Sequence, residues 1–206
     1  MDIEAANRTA FLVLNAPASL NGLPLELVIG AAQYGDAVLI ALMVWRWALG
    51  TSRDRRVLIW LMVAVLAAMT INYVIGQAFP HPRPFVVGLG HTFISHRPNA
   101  SFPSDHGTFM WTVALGLLFV WPRQSLSWLA VILAALTSWA RVFLGLHFPL
   151  DMLGSLAVAG LCIAALAPMR GLIESRIARP IEATYGRGVR RLARSDPDSD
   201  LNSASS

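Results

Sequence analysis

Five long apolar segments constrain this chain more than any other feature, because a bilayer-crossing helix needs about 20 mostly apolar residues. They run from about Leu27 to Leu49, from Val57 to Ala78, from about Ser104 to Trp121, from about Trp128 to Leu146, and from Pro149 onward. The earlier stretch "FLVLNA" is too short to span and suits an amphipathic helix in the membrane interface. We therefore predict an all-α, polytopic membrane protein with about five transmembrane helices and an N-terminal interfacial helix.

The composition supports a membrane protein and argues against two other classes. Only 14% of the residues are charged, compared with about 25% in soluble domains. The net charge of +4 does not predict a nucleic-acid partner, because the arginines cluster beside the apolar segments and near the C-terminus. The single cysteine, Cys162, cannot form an internal disulfide and is expected to pack in a helix.

The distribution of arginine predicts the orientation of the chain. Three regions that five spans place on one side carry most of the arginines. These are Arg46, Arg53, Arg55 and Arg56 after the first span, Arg123 after the third, and seven arginines from Arg170 onward. We predict a membrane-embedded domain over residues 1–169 and a cytoplasmic basic tail over 170–206, partly disordered where "SDPDSDLNSASS" ends the chain. The opposite, outer side receives the Pro80–Phe102 loop and the turn at His147.

Three polar motifs share this outer side although they are far apart in the sequence. They are "HPRPF" with Arg83, "PSDH" with Ser104 and His106, and "ARVFLGLHFPLD" with Arg141, His147 and Asp151. The convergence of several polar groups at one membrane depth indicates a site more strongly than any single residue does.

The residues of "PSDH" have both a structural and a functional interpretation. Ser104 after Pro103 is a good N-cap for the third span, and Asp105 suits the first turn of a helix. A capped helix start also directs free backbone N–H groups outward, where they bind phosphate. His106 is not needed for capping and does not suit lipid, so it is a candidate for chemistry.

The third motif combines a charge in a span with a histidine–carboxylate pair. Arg141 either reaches the interface by snorkelling or faces a polar site. Asp151 follows His147 by four residues, so its carboxylate can accept a proton from one ring nitrogen and leave the other free to attack. Asp36 is a further intramembrane acid, for which the sequence names no partner.

A metal centre is the main alternative for such a layer of polar residues. The layer offers two well-placed histidines and one or two acids, among arginines that repel a cation. Anion binding therefore fits better, and we predict neither a metal nor another cofactor.

These motifs resemble a known family signature. Arg83-Pro84, "PSDH" and Arg141-x5-His147-x3-Asp151 are similar to the three-part signature of the type 2 phosphatidic acid phosphatase superfamily. The longer forms "HPRPF", "SFPSDHGT" and "RVFLGLHFPLDMLG" resemble its undecaprenyl-diphosphatase branch, the bacitracin-resistance type. The resemblance covers about Leu27 to Met169 and implies a helical bundle like that of acid phosphatases and vanadium haloperoxidases.

Three positions depart from the superfamily pattern. Gly76 stands where a phosphate-binding lysine is usual, and Ala140 stands where a serine is usual. Asp105 replaces a usual glycine and looks characteristic of the undecaprenyl-diphosphatase branch. These changes concern the geometry of the phosphate pocket rather than the type of reaction.

The resemblance implies a role for each residue. His147 would be the nucleophile, held by Asp151, and His106 the acid and base, while Arg83, Ser104, Asp105 and Arg141 would bind the phosphate. One histidine must be neutral and the other protonated, which predicts a bell-shaped pH–rate profile. The implied reaction is hydrolysis of undecaprenyl diphosphate at the outer face of the bacterial inner membrane, which recycles the carrier for peptidoglycan synthesis and confers bacitracin resistance. Two alternatives are a phosphatase for phosphatidylglycerophosphate, phosphatidic acid or lipid A, and a non-catalytic transporter or scaffold.

Overall fold

The computed structural model of the chain describes residues 2–194, and the side chains of residues 2–187. Within that range its regular secondary structure consists of helices alone, without strands, which confirms the predicted fold class. The helices are α1 (Ile3–Leu14), α2 (Gly22–Leu49), α3 (Ser52–Ala78), α4 (Asp105–Val120), α5 (Ser125–Phe143), α6 (Pro149–Leu166), α7 (Arg170–Ile173), a π-helical turn (Glu174–Ala178) and α8 (Arg179–Arg194). The disorder predicted for "SDPDSDLNSASS" concerns residues 195–206, which lie outside the described residues.

Helices α2 to α6 coincide with the five predicted spans. Four of them, α2, α3, α5 and α6, are long and apolar enough to cross a membrane within the described part of the chain. Helix α4 is apolar but has only 16 residues, a rise of about 24 Å. Large apolar side chains such as Val38, Leu66 and Leu161 are exposed on the outside of the bundle, as expected where lipid is the solvent. The chain is a multi-pass membrane protein.

Helix α4 lies at the centre of the bundle and packs against α3, α5 and α6. Its side chains Met110, Ala114 and Leu117 are fully buried in the main apolar core. At its first turn, a Cβ atom at Gly107 would lie 2.8 Å from the Oγ of Ser155 on α6. The absence of a side chain at Gly107 therefore lets the start of α4 approach the start of α6.

One end of the bundle holds the arginine-rich connections. Arg46 pairs with Asp54 at 3.0 Å, and Arg55 lies 3.6 Å from Glu182 of α8. The ring of Trp47 packs edge-on against Tyr185. The first part of the predicted tail is thus helical and packs against the beginning of α3.

The opposite end of the bundle gathers the three polar motifs beneath α1. Phe11 of α1 is fully buried and its ring packs edge-on against Phe148, with centroids 5.3 Å apart. The Oδ1 of Asn7 accepts a hydrogen bond from the Leu150 N–H at 3.1 Å. Helix α1 has 12 residues, too few to span, and leaves Ile3 and Val13 exposed. It therefore covers the polar end of the bundle.

Candidate active site

A tight turn between α5 and α6 presents His147. Helix α5 ends in a Schellman motif, in which Leu146 N–H donates to Arg141 O and Gly145 N–H donates to Val142 O, both at 3.0 Å. Gly145 has a φ of +80°, a conformation that favours glycine. Pro149 then begins α6, and the carboxylate of Asp151 accepts from the Phe148 N–H at 2.8 Å. Both helix ends therefore hold His147 in place.

The two ring nitrogens of His147 face different partners. Nδ1 lies 3.3 Å from Asp151 Oδ2 and 3.1 Å from the carbonyl oxygen of Ser101. Nε2 lies 2.8 Å from a guanidinium nitrogen of Arg83. Because a guanidinium group can only donate, Nε2 must be the acceptor and the proton must be on Nδ1. The nitrogen with the free electron pair is therefore Nε2, on the side of Arg83.

Burial keeps His147 neutral. Its side chain is 1% exposed. Removal from water lowers the pKa of His147 to about 3; the hydrogen bond to Asp151 opposes this shift, and the positive charge of Arg83 adds to it. The imidazole is thus uncharged over the neutral pH range, which keeps the electron pair on Nε2 available.

Arg83 is buried against the His147 turn. Its Nε donates to Asn99 Oδ1 at 3.0 Å, and the nitrogen that contacts His147 also donates to the Leu146 carbonyl at 3.0 Å. Its remaining nitrogen donates to the Ala100 carbonyl at 3.3 Å. A planar guanidinium fixed in this way presents a positive charge directly beside Nε2.

Ser104 is the N-cap of α4, as predicted, and also faces His147. Its Oγ accepts from the Gly107 N–H and lies 3.3 Å from His147 Nε2. Ser155 Oγ is within hydrogen-bond distance of the carbonyl oxygens of both Ser104 and Asp151. The start of α4, with its unpaired N–H groups, is thereby fixed beside the start of α6. Arg83, Ser101, Ser104, His147 and Asp151 form what we term the His147 cluster.

Asp105 is exposed and is held by α3. Its Oδ1 accepts from the side-chain amide of Asn72 at 2.7 Å, and the Oδ1 of Asn72 accepts from Thr108 Oγ1 at 2.6 Å. Asn72 is 2% exposed. Asp105 therefore has a defined partner on α3.

His106 lies in a separate cavity beside that cluster. Its Nε2 is 3.6 Å from Asp36 Oδ2, and both side chains are about one-third exposed. A cavity of about 250 Å³ is bordered by Asp36, Ile40, Met69, Asp105, His106 and Phe109, and we term it the His106 pocket. The sequence left Asp36 without a partner, and the structure places it opposite His106.

Arg141 lies inside the protein rather than at the interface. It is 3% exposed, donates to the Ala32 carbonyl at 3.1 Å and has a guanidinium nitrogen 3.4 Å from His96 Nε2. The snorkelling interpretation of Arg141 is therefore wrong. The ring of His96 is also 6.5 Å from that of His147, so Arg141 and His96 border the His147 cluster together.

Several residues of the site were not identified from the sequence. Ser101 Oγ donates to Asp151 Oδ2; Ser101 begins the longer motif "SFPSDHGT", but no role was assigned to it from the sequence. His81 has Nε2 3.4 Å from Glu4 of α1 and Nδ1 3.9 Å from Asp151 Oδ1. Its position as the first residue of "HPRPF" was the one available signal. His96, in the same loop, is the third such residue.

Two of the three departures from the superfamily pattern, Gly76 and Ala140, differ in their surroundings. A Cβ atom at Gly76 would lie 3.7 Å from Phe102 O and 3.8 Å from Ala100 Cβ. Position 76 thus borders the segment that binds Arg83, where a lysine would add charge. Ala140 is fully buried in an apolar cluster with Ala32 and Leu144.

An apolar groove adjoins the His106 pocket. A cavity of about 450 Å³ lies between α2, α3 and α4, and Ile181 of α8 borders it at the far end. Ile40 and Phe109 border both this cavity and the His106 pocket. We term it the apolar groove; it extends from the polar end of the bundle toward the arginine-rich end.

No group of three or more histidine, cysteine, aspartate or glutamate side chains suited to a metal ion occurs within the part of the chain that the structure describes. The predicted independence from metal stays a prediction, which a chelator tests directly.

Comparison with known proteins assigns the chain to a family. The model of the PAP2 superfamily matches residues 57–173, which include both the His147 cluster and His106. This chain belongs to the PAP2 superfamily.

Two curated relatives show which members of the superfamily this chain resembles. YbjG of Escherichia coli (strain K12), which carries the undecaprenyl-diphosphatase name provisionally, is 37% identical over 79% of this chain and 82% of its own length. Undecaprenyl-diphosphatase BcrC of Bacillus subtilis (strain 168) is 33% identical over 65% of this chain and 68% of its own length. Both alignments cover most of the two chains, so the similarity is not confined to the motifs.

A solved structure shows the same fold. LpxE of Aquifex aeolicus aligns with a TM-score of 0.64 and 23% identity, over 79% of this chain and 95% of that one. At this level of identity the similarity concerns the helical bundle alone.

Proposed function

We propose that this protein hydrolyses undecaprenyl diphosphate to undecaprenyl phosphate and inorganic phosphate. The observation that carries the proposal is the arrangement of His147, whose Nδ1 is held by Asp151 while its unprotonated Nε2 faces Arg83 and Ser104. This is an oriented nucleophile beside groups that bind an anion. The names of the relatives supply the substrate class.

In the first step, His147 Nε2 attacks the terminal phosphorus of the diphosphate. A P–N bond forms as the bond from that phosphorus to the bridging oxygen breaks, and His106 gives its proton to the leaving polyprenyl phosphate oxygen. Asp151 stabilises the positive charge that develops on the imidazole. Arg83, Arg141, Ser104 and the N–H groups at the start of α4 stabilise the charge on the transferred phosphoryl oxygens.

In the second step, water attacks the phosphohistidine. His106, now neutral, takes a proton from the water as the P–N bond breaks and the electron pair returns to His147 Nε2. Inorganic phosphate leaves, and both histidines return to their starting protonation states. Asp105 borders the His106 pocket, where its charge and its bond to Asn72 shape the approach to the phosphate site.

The apolar groove supports a lipid substrate. Its walls are apolar side chains of α2, α3 and α4, and it meets the His106 pocket at Ile40 and Phe109. A diphosphate bound at the His147 cluster would place the first isoprene units of its chain in this groove. Burial of that apolar surface contributes binding energy.

The distribution of charge supports an outward-facing site and a cytoplasmic C-terminus. The arginines of the α2–α3 connection lie at the end of the bundle opposite the His147 cluster, together with α8. Basic connections remain on the cytoplasmic side. The site would then act at the outer face of the membrane, where release of the phosphorylated carrier serves cell-wall synthesis and bacitracin resistance.

A substrate comparison tests the proposed function. Full-length protein purified in detergent with a chelator is expected to release phosphate from undecaprenyl diphosphate faster than from phosphatidic acid, phosphatidylglycerophosphate or lipid A. The anhydride bond and the polyprenyl chain are the features that distinguish the first substrate. Faster release from a glycerophospholipid would overturn the assignment of the substrate, and inactivity in chelator would overturn independence from metal.

Filling the apolar groove is expected to impair long substrates selectively. Met43→Trp introduces a larger side chain at a groove position of α2. We expect KM for undecaprenyl diphosphate to rise roughly 10-fold, with little change for a diphosphate that carries a short prenyl chain. Val38→Trp, at a lipid-exposed position of the same helix, is the matched control. Equal effects of Met43→Trp on both chain lengths would contradict the assigned path of the lipid.

A further inference from the structure

Asp36 is an acidic side chain inside a helix that is apolar enough to cross a membrane. Charged groups in such segments are costly unless they meet a polar partner, and they commonly belong to a functional site. The mechanism described above assigns it no role.

The contacts of Asp36 direct one oxygen at His106. Its Oδ1 accepts from the Ala37 N–H at 2.8 Å, and its Oδ2 lies 3.6 Å from His106 Nε2. That separation corresponds to an ion pair when the ring is protonated. The two side chains come from α2 and α4, 70 positions apart in the chain, and meet at the wall of the His106 pocket.

The other charges around His106 show why a carboxylate matters there. Besides Asp36, the charged and titratable groups near the His106 ring are Arg141 of α5, His96 of the loop before α4, and Asp105 of α4. Asp105 already accepts a hydrogen bond from Asn72. Asp36 is therefore the carboxylate in ion-pair contact with His106, and it offsets Arg141.

We propose that Asp36 is a positioning residue that holds the imidazole of His106 and favours its protonated form before phosphoryl transfer. The proposal rests on the proposed function, in which His106 is the proton donor. The carboxylate of Asp36 faces the Nε2–H group. The proton on Nδ1 passes to the leaving oxygen in the first step, and Nδ1 takes a proton from water in the second.

The pH dependence of Asp36→Asn tests this role. The amide keeps the size of the side chain but removes its charge, so protonated His106 is less favoured. We expect kcat to fall roughly 10-fold and the alkaline limb of the kcat/KM profile to move to lower pH by about one unit. The acidic limb, where the neutral form of His147 is lost, should not move. Titration of the substrate by ³¹P NMR corrects for ionisation of the diphosphate itself.

Two variants of the same helix complete the kinetic test. Asp36→Glu restores the carboxylate and should recover most of kcat and the position of the alkaline limb. Glu26→Gln removes an exposed acid of α2 ten positions earlier and should behave as wild type. An alkaline limb that stays in place in Asp36→Asn, or a loss of kcat that glutamate does not rescue, would overturn the proposal.

A second measurement does not depend on turnover. The His106 ring of the full-length, histidine-labelled protein can be titrated by NMR in detergent, with His106→Gln identifying its signal. The midpoint should move to lower pH in Asp36→Asn. An unchanged midpoint would contradict the proposed role of Asp36, even if the enzyme is active. A shifted midpoint in a protein that releases no phosphate supports the Asp36–His106 pair and instead overturns the proposed function.

Discussion

Replacement of His147 by alanine is expected to abolish phosphate release, with a loss of at least about 10³-fold in kcat. The variant lacks the unprotonated Nε2 that lies beside Arg83 and Ser104. The rate of phosphate release from undecaprenyl diphosphate measures the effect. His147→Gln retains much of the volume and a polar group in this buried position, so it disturbs the packing less than alanine does. Equal inactivity of the two variants would therefore show that the loss comes from the missing nucleophile and not from misfolding.

The intermediate offers a direct test of the same residue. Substrate labelled at its terminal phosphate should transfer the label to the wild-type protein, and the label should survive alkaline but not acid treatment, as a phosphohistidine does. His147→Ala should acquire no label. His91→Ala is the matched control, because His91 is exposed and its contacts with Asn15 are made by its backbone. Wild-type turnover in His147→Ala would exclude it as the nucleophile.

Replacement of Arg83 by lysine is expected to lower kcat by about 10²- to 10³-fold. Lysine keeps the charge but cannot reproduce a planar group that reaches Asn99, Ala100, Leu146 and His147 together. Since the role we assign to Arg83 is to stabilise the transferred phosphoryl group, kcat should fall more than KM rises. Steady-state kinetics with undecaprenyl diphosphate separates the two constants.

An arginine of the same loop provides the comparison for Arg83. Arg97 is exposed, and Arg97→Lys should leave kcat close to that of wild type. Circular dichroism and the elution volume in detergent establish that Arg83→Lys keeps the helical bundle. A folded Arg83→Lys protein with wild-type kcat would show that the charge alone is sufficient and that the fixed guanidinium geometry has no role.

Much of the fold could be predicted from the sequence because its signals are local. Each apolar segment specifies a helix by its own composition, and α2 to α6 form where these segments lie. Capping by Ser104 was predictable in the same way, since an N-cap depends on a few consecutive residues. The central position of α4 between α3, α5 and α6 is not revealed by its own sequence.

The sequence identified most residues of the candidate site but predicted only part of their arrangement. Arg83, Ser104, His147 and Asp151 meet as the motifs suggest. Asp105 instead faces Asn72, and His106 lies in a neighbouring pocket opposite Asp36. The catalytic roles of these residues stay predictions until the variants are measured.

The sequence by itself determined a helical membrane protein with a layer of polar motifs at one end, because hydrophobicity, capping and short motifs act over a few residues. Only the tertiary structure decided which nitrogen of His147 is free, that Ser101 and His81 border Asp151, and that Asp36 faces His106. Each of these contacts joins residues that are distant in the chain or depends on the path of a loop. They follow from the packing of the helices and from the path of the loop over residues 79–104, which no local pattern encodes.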